Sequence, residues 1–279
     1  MSLSIGAKDV IVPHVSSIPR STHQEAGRLS QVAYERLLDV LTQLSGADWS
    51  QPTYCTEWTV RDMTAHLAGS VTGSTSLAEF QRQNVKNPYL KEFSDPVDGI
   101  NKLQLEDRAG KTPAQLVAEF RENGQVAVAN RQKLPWAVRK IHLSMGSLGF
   151  ASFEYLMDVI YPRDQWMHRY DICVAADKKM VITPDHDGRI VALVLRDLGR
   201  NLQKQIGSRT VDLHLVGALE MAYRFGAGSS ATAVIQMDFF DFNLLASGRL
   251  DVATVQERTL VSGDSAAADW FLQHTSVVY

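Results

Sequence analysis

Up to about residue 180, apolar residues recur mainly at three- and four-residue intervals, the spacing of helices with one buried face. The first such series runs from Leu29 to Leu44, and Ser45-Gly46 ends it. Thr59 then predicts a second helix from Val60 to about Ser70, because its hydroxyl can cap free backbone amides.

A third helix is predicted from Pro113 to about Gln132, because Thr112 precedes it as the cap and Gln115 completes a capping-box pattern. The polar stretch from Asn84 to Gly110 reads as a loop that can hold a short helix.

A fourth helical pattern runs from Phe153 to Ala176, and Pro162 inside it predicts a kink or a fresh first turn. Four helices in this length predict a bundle. In such bundles, facing side chains commonly form metal or cofactor sites.

Beyond Thr183-Pro184 a fifth helix is predicted from Ile190 to Ile206, after which the period changes from helical to alternating. The predicted strands are Val211–Leu215, Met221–Phe225, Ala233–Met237 and Thr259–Ser262, with helices over Phe239–Ala246 and Ser265–His274. The predicted fold is therefore mainly α: a flexible tail over 1–20, a four-helix bundle over 21–180 and a small α+β domain over 185–279.

The composition is that of a globular protein, with 279 residues of which 45% are hydrophobic and 21% charged. A net charge of -3 argues against binding to nucleic acid or to anionic membranes, and no apolar run is long enough to span a bilayer. The only two cysteines, Cys55 and Cys173, fit neither a disulfide framework nor a zinc finger. We therefore expect a cytoplasmic protein.

The segment RDQWMHRYDI contains the first candidate site. Asp164 and His168 are four residues apart, so on a helix their side chains lie within about 40° of each other on one face. A carboxylate and an imidazole at this spacing suit zinc, iron, nickel or manganese. An acid–histidine pair that stabilises the helix without metal explains the same spacing.

His66 is the third candidate ligand. It lies about two turns into the predicted helix that Thr59 caps, and Val60, Met63 and Leu67 place the apolar stripe near its face. The alternative reading is a core histidine whose hydrogen bonds are satisfied.

Two segments resemble a known family. Residues 52–67, PTYCTEWTVRDMTAHL, together with the preceding Trp49, closely resemble the N-terminal signature of the mycothiol-dependent maleylpyruvate isomerase family, a branch of the DinB-like metalloproteins. RDQWMHRYDI resembles that family's second metal segment, a carboxylate followed four residues later by a histidine. The resemblance implies a DinB-like bundle in which His66, Asp164 and His168 hold one divalent cation, with zinc the first choice.

The resemblance extends from residue 21 onward, because the region with Gly248-Arg249 is similar to the sterol-carrier-protein-like domain often fused to the bundle. It implies that Arg249 lies near the open site and binds a substrate carboxylate; a plain turn arginine is the alternative. The founding isomerase type has glutamate where this chain has Asp164, which leaves the metal's identity open.

Five neighbours have structural interpretations from sequence. Trp49 and Trp58 are expected to pack at the helix entry, and Cys55 to be a small buried apolar residue. Arg169 and Asp171 flank the metal segment and are expected to support it.

The family resemblance implies an enzyme that uses mycothiol or a related small thiol. The metal favours the thiolate, which attacks a small electrophile as an S-transferase or isomerises a maleyl-type acid. The rival hypotheses are a lipid- or small-molecule-binding protein with a structural metal, and a metal-dependent hydrolase. The sequence leaves open the thiol-binding residues and whether the protein is a monomer or a dimer.

Overall fold

The computed structural model describes residues 11–144, 146 and 149–279, which divide into two compact units. The bundle unit comprises Ser21–Ile182 together with Val278–Tyr279. The α+β unit comprises Thr183–Val277 together with residues 11–20 of the described chain.

The bundle unit is helical apart from one short hairpin. Its helices are α1 (His23–Gln43), α2 (Val60–Thr72), α3 (Leu77–Asn84), α4 (Pro96–Glu106), α5 (Pro113–Gln132), α6 (Trp136–Arg139), α7 (Phe153–Tyr155) and α8 (Tyr161–Ala175). The hairpin pairs β1 (His142–Ser144) with β2 (Phe150–Ser152) in antiparallel register.

Four long helices enclose the bundle core. α1 packs against α5 and α8, and α2 packs against the same two helices. The side chains of Leu37, Met63 and Phe120 are fully buried between them. The capping box at Thr59 fixes the start of α2, and the one at Thr112 fixes that of α5, as the sequence predicts.

The polar stretch over 84–110, predicted as a loop that can hold a short helix, contains the eleven-residue helix α4. Asp95 caps this helix through the amide of Val97, and Pro96 occupies its first position. The buried residues of α4 are Gly99, Leu103 and Gln104, whereas its other aliphatic residues, Val97, Ile100 and Leu105, are half-buried. This narrow buried face is why the sequence allowed a helix here without fixing its bounds.

Pro162 neither breaks nor ends the fourth helical segment. Leu156–Ile160 forms a wider turn of π-helix between α7 and α8, and the backbone of Ile160 and Tyr161 stays helical. Pro162 therefore falls in the first turn of α8, where a missing amide is tolerated.

The α+β unit is built on a four-stranded sheet in the order β4-β3-β5-β6. The strands are β3 (Val211–Val216), β4 (Met221–Phe225), β5 (Ala233–Asp238) and β6 (Leu260–Gly263), and only β3 and β5 are parallel. The helices are α9 (Arg189–Leu202), α10 (Phe239–Ala246), α11 (Val252–Gln256) and α12 (Ser265–Gln273).

Alternation along the central strands explains this packing. Leu213 in β3 and Ile235 in β5 are buried, while His214 and Gln236 between the apolar positions are half-buried. α10 and α12 pack against β3 and β5. The strand predictions therefore match the observed sheet to within two residues at each end.

The N-terminal tail expectation covers residues 1–20, of which 1–10 lie outside the described residues. Residues 13–18 pack on the α+β unit instead of extending freely, because Val15 and Ile18 are buried and the Arg224 amide donates to the Pro13 carbonyl.

The C-terminal residues Val278 and Tyr279 belong to the bundle unit. The Val278 carbonyl accepts a hydrogen bond from Arg163 of the same unit.

Among the described helices, none is both long enough and apolar enough to cross a bilayer.

Candidate metal centre

α2 carries His66 into the interior of the bundle unit. The Thr59 hydroxyl accepts a hydrogen bond from the Asp62 amide, while Asp62 accepts one from the Thr59 amide, so the first turn of α2 is fixed. His66 follows two turns later and is 7% exposed.

α8 carries the other two candidate ligands. Asp164 lies in its first turn and His168 one turn later, with their side chains in contact: His168 Nε2 is 3.2 Å from Asp164 Oδ1. The Asp164 carboxylate is also 3.8 Å from His66 Nε2. The structure therefore brings together all three side chains that the sequence suggested as ligands.

These three side chains can present one oxygen and two nitrogen atoms to a single point. Their candidate ligand atoms all lie within 4.8 Å of one another. The two imidazoles are buried, whereas the Asp164 side chain keeps 19% of its surface exposed. Two imidazoles and one carboxylate are a donor set that catalytic zinc and other divalent transition metals accept.

His66 provides the clearest sign that this cluster fits a cation. Both of its ring nitrogens are buried and have no hydrogen-bond partner among the described residues. Buried polar atoms in proteins are nearly always satisfied, because leaving one unpaired costs about 1–3 kcal/mol. A metal ion at Nε2 satisfies one of these nitrogens.

The charges in the cluster depend on each other. Burial disfavours the Asp164 carboxylate, but His168 and His66 outweigh it and hold the pKa of Asp164 well below its usual range. Burial likewise disfavours protonated His168, but Asp164 and Asp171 outweigh it and raise the pKa of His168 to about 9. The carboxylate is therefore ionised and available as a ligand at neutral pH.

Aromatic and acidic neighbours surround the imidazoles. The Trp58 ring lies 5.0 Å from the His66 ring and 6.2 Å from the His168 ring, measured between centroids. Asp171 is fully buried, with its Oδ2 3.0 Å from His168 Nδ1. Trp58 is thus part of the site's wall as well as of the helix entry at which the sequence placed it.

A second group of potential ligands shares one member with the first. Atoms of Cys55, His168 and Asp171 also lie within 4.8 Å of one another. The sequence suggested only a packing role for Cys55, since nothing in the spacing indicates that the loop before α2 reaches α8. The two groups compete for the same imidazole, so a test of the site must separate them.

The other sequence-derived candidates are placed as follows. Arg249 lies in the α+β unit between α10 and α11, half-buried, with its amide donating to the Leu244 carbonyl. Trp49 packs against the core of the bundle unit. Arg169 is buried and donates to the Val181 carbonyl.

Sequence reasoning missed Arg131 of α5, which is buried and lies with its guanidinium carbon 4.3 Å from the centre of the Tyr161 ring. Tyr161 lies two residues before the metal segment of α8, which begins at Arg163. An arginine near the end of a helix normally reads as a solvated residue, so no sequence signal separates Arg131 from its exposed neighbours.

Comparison with known proteins identifies the family. The family model described as the mycothiol maleylpyruvate isomerase N-terminal domain matches residues 31–173, which is more than half of the chain and includes all three clustered side chains. No curated protein matches the chain.

Two solved structures share the fold. One is the crystal structure of the mycothiol-dependent maleylpyruvate isomerase, which is 14% identical, with a TM-score of 0.57 over 89% of this chain and 95% of that chain. The other is a histidine-to-alanine mutant of that enzyme, 13% identical, with the same TM-score and coverage. Since the match to the family model spans both helices of the candidate site, the chain belongs to the mycothiol maleylpyruvate isomerase N-terminal domain family.

Proposed function

We propose that this protein is a metal-dependent enzyme that uses mycothiol or a related small thiol as its nucleophile. Its reaction is either thiol S-transfer to a small electrophile or cis–trans isomerisation of a maleyl-type acid. One observation carries the proposal: the buried imidazole of His66, without a hydrogen-bond partner in the described chain, lies 3.8 Å from the Asp164 carboxylate that His168 also contacts.

His66, Asp164 and His168 would hold the cation, with zinc the first choice and nickel, iron or manganese the alternatives. A divalent metal with three protein ligands supplies an open coordination position at which a thiol is held as the thiolate, a strong nucleophile at neutral pH.

The chain's own residues prepare this position. Asp171 accepts a hydrogen bond from His168 Nδ1, and Nε2 faces Asp164; a cation bound here would take the place of the Nε2 proton. Trp58 covers one side of both imidazoles and so reduces the access of water. The ionised Asp164 would compensate part of the charge of a bound cation.

The nucleophile has to come from outside the protein. Cys173 is buried, and burial raises the pKa of its thiol to about 11, so little thiolate forms at neutral pH. Cys55 contributes to the competing ligand group and is half-buried. A free thiol cofactor and two cysteines that form no disulfide are both consistent with a cytoplasmic enzyme.

Arg249 is proposed to bind a carboxylate of the substrate, as the family resemblance implies. This assignment is tested by Arg249→Lys, which keeps the charge but not the bidentate geometry. A rise in the substrate's KM with metal content unchanged supports the role, and unchanged kinetics reject it.

The experiment that tests the function is a thiol titration of the cobalt-substituted protein, purified without a histidine tag. Mycothiol should produce sulfur-to-cobalt charge-transfer absorption, and glutathione should do so less well. His168→Ala is the control and should give no such band.

The outcome that rejects the proposal is equally concrete. If neither thiol changes the cobalt spectrum, and no thiol is consumed with a panel of electrophiles or maleyl-type acids, the thiol mechanism is wrong. Hydrolytic chemistry or simple ligand binding then replaces it.

A further inference from the structure

One end of the bundle unit contains a cavity of about 450 Å³, within the range of small-molecule sites. We call it the end cavity. It lies where the segment joining α2 to α3 meets the C-terminal end of α5 and the π-helical turn before α8. Its wall is mostly apolar and includes Leu77, Phe80, Leu134, Val138, Phe153 and Met157.

Arg131 is the buried cation in that wall. It is 4% exposed, and none of its three guanidinium nitrogens has a hydrogen-bond partner among the described residues. Its contact with the Tyr161 ring supplies some compensation through the ring's negative face. An arginine stays protonated in proteins, so a buried guanidinium without an anion is a strongly unfavourable arrangement that a bound anion would relieve.

The anions near Arg131 do not complete its pairing. Burial lowers the pKa of Arg131, and the negative charge of Asp164 acts in the opposite direction. The ion pairs of Asp164 within the described structure are with His66 and His168, not with Arg131. The Asp164 carboxylate is already engaged by His168 and lies near His66. The guanidinium therefore retains its capacity for a further carboxylate.

The neighbouring polar side chains of the end cavity are less suited than Arg131 to bind a desolvated anion. Asn130 uses its amide nitrogen to bind the carbonyls of Ser74 and Thr75. Lys133 also lines the cavity, but it is exposed and its charge is solvated. Among the described lining residues, Arg131 is the buried cation that can bind a desolvated anion.

We propose that the end cavity binds a small carboxylic acid with an apolar body, its carboxylate paired with Arg131 and its body against Leu77, Phe80 and Met157. The planar guanidinium matches a carboxylate bidentately, and the apolar wall disfavours a strongly hydrated dianion such as a phosphate.

The binding is tested with hexanoate as the probe, titrated calorimetrically into the full-length protein before and after metal removal by chelation. Hexanoate should bind in both forms. 1-Hexanol, which has the same chain without the charge, should bind at least tenfold more weakly, and butyl phosphate should also bind more weakly than hexanoate.

Two variants and one control test which residues bind the carboxylate and the apolar body of hexanoate. Arg131→Met removes the buried charge and keeps an apolar chain in its place, so it should fold and weaken hexanoate binding at least tenfold. Lys133→Met, the exposed neighbour, should stay within twofold of the wild type. Leu77→Glu alters a lining residue that is 72% exposed, so it should fold and yet repel hexanoate.

Three results overturn the proposal: equal binding of hexanol and hexanoate, full binding by Arg131→Met, or loss of binding in Lys133→Met alone. Metal and thiol binding are measured on the same samples. Hexanoate binding without metal uptake would reject the proposed function and keep this site, and the reverse result would reject this site alone.

Discussion

His168 Nδ1 lies 3.0 Å from Oδ2 of Asp171, a carboxylate that is fully buried one turn further along the same helix. Such a contact fixes the ring orientation and tautomer of a metal-binding histidine and increases its basicity. Asp171→Asn should therefore lower metal affinity by about 10–100-fold while leaving the three ligands in place. Competition with a chromophoric chelator measures this change.

The control is Asp98→Asn, which removes an exposed carboxylate from the first turn of α4 and should leave metal affinity unchanged. Equal affinity in the wild type and Asp171→Asn would mean that the contact with His168 only supports the helix.

Asp164 gives a second prediction, because the resembling isomerase type has glutamate at this position. Asp164→Glu should keep metal binding, since the carboxylate is retained on a longer side chain. Asp164→Ala should weaken it strongly, because both a ligand and a negative charge are lost. Equal and negligible effects in equilibrium dialysis would show that Asp164 is not a ligand.

The contact between α1 and α5 depends on a glycine. A Cβ added at Gly124 would lie 2.3 Å from a ring carbon of Tyr34, whose hydroxyl donates to the Arg121 carbonyl. Gly124→Ala should lower the free energy of unfolding by about 1–3 kcal/mol through overpacking. Gly110→Ala, where a Cβ would meet nothing within 4 Å, should be neutral or slightly stabilising. Urea denaturation compares the two, and a stability loss of equal size in both would refute the packing argument.

Glu119 links stability to pH. Its carboxylate lies 2.6 Å from Arg108 Nη2 and 2.7 Å from Lys111 Nζ. Burial raises the pKa of Glu119, but these two cations outweigh it and hold that pKa below the ordinary value of 4.5. Because the folded pKa is the lower one, the stabilisation is present above pH 4.5 and is lost as the pH falls through the folded pKa.

Glu119→Gln should accordingly lower the free energy of unfolding by about 1.5–3 kcal/mol near neutral pH. The difference in the free energy of unfolding between this variant and the wild type should shrink in acid. Titration of the histidine cluster does not affect this difference, because both proteins contain the cluster. A difference that stays constant across the pH range would show that the ion pairs add no net stability.

Much of the fold follows from local signals in the sequence. The capping boxes at Thr59 and Thr112 fix α2 and α5, and alternation in β3 and β5 predicts the sheet. The stretch that contains α4 was predicted to hold at most a short helix, because its start signal, Asp95 before Pro96, lies outside the apolar periodicity. The β1–β2 hairpin was missed, since β1 is exposed along its whole length and lacks an alternating pattern.

The site was predictable only where residues are close in sequence or match the family pattern. The four-residue spacing of Asp164 and His168 predicts that they lie on one face of a helix. The family resemblance adds His66 as the third ligand. The neighbours of the site depend on tertiary contacts: Cys55 is 113 residues before His168 along the chain yet lies beside it. Arg131 likewise becomes significant only when α5 is seen against Tyr161 of α8.

The central claim is that His66, Asp164 and His168 together hold one divalent cation. Its most direct test is the metal content of the untagged protein after reconstitution and dialysis, measured for the wild type, His66→Ala, His168→Ala and Cys55→Ala. Thermal unfolding verifies that each variant is folded. The account predicts about one ion per chain in the wild type and in Cys55→Ala, and loss of the ion in both histidine variants. Full occupancy in His66→Ala, with loss in Cys55→Ala, would contradict it and assign the metal to Cys55, His168 and Asp171.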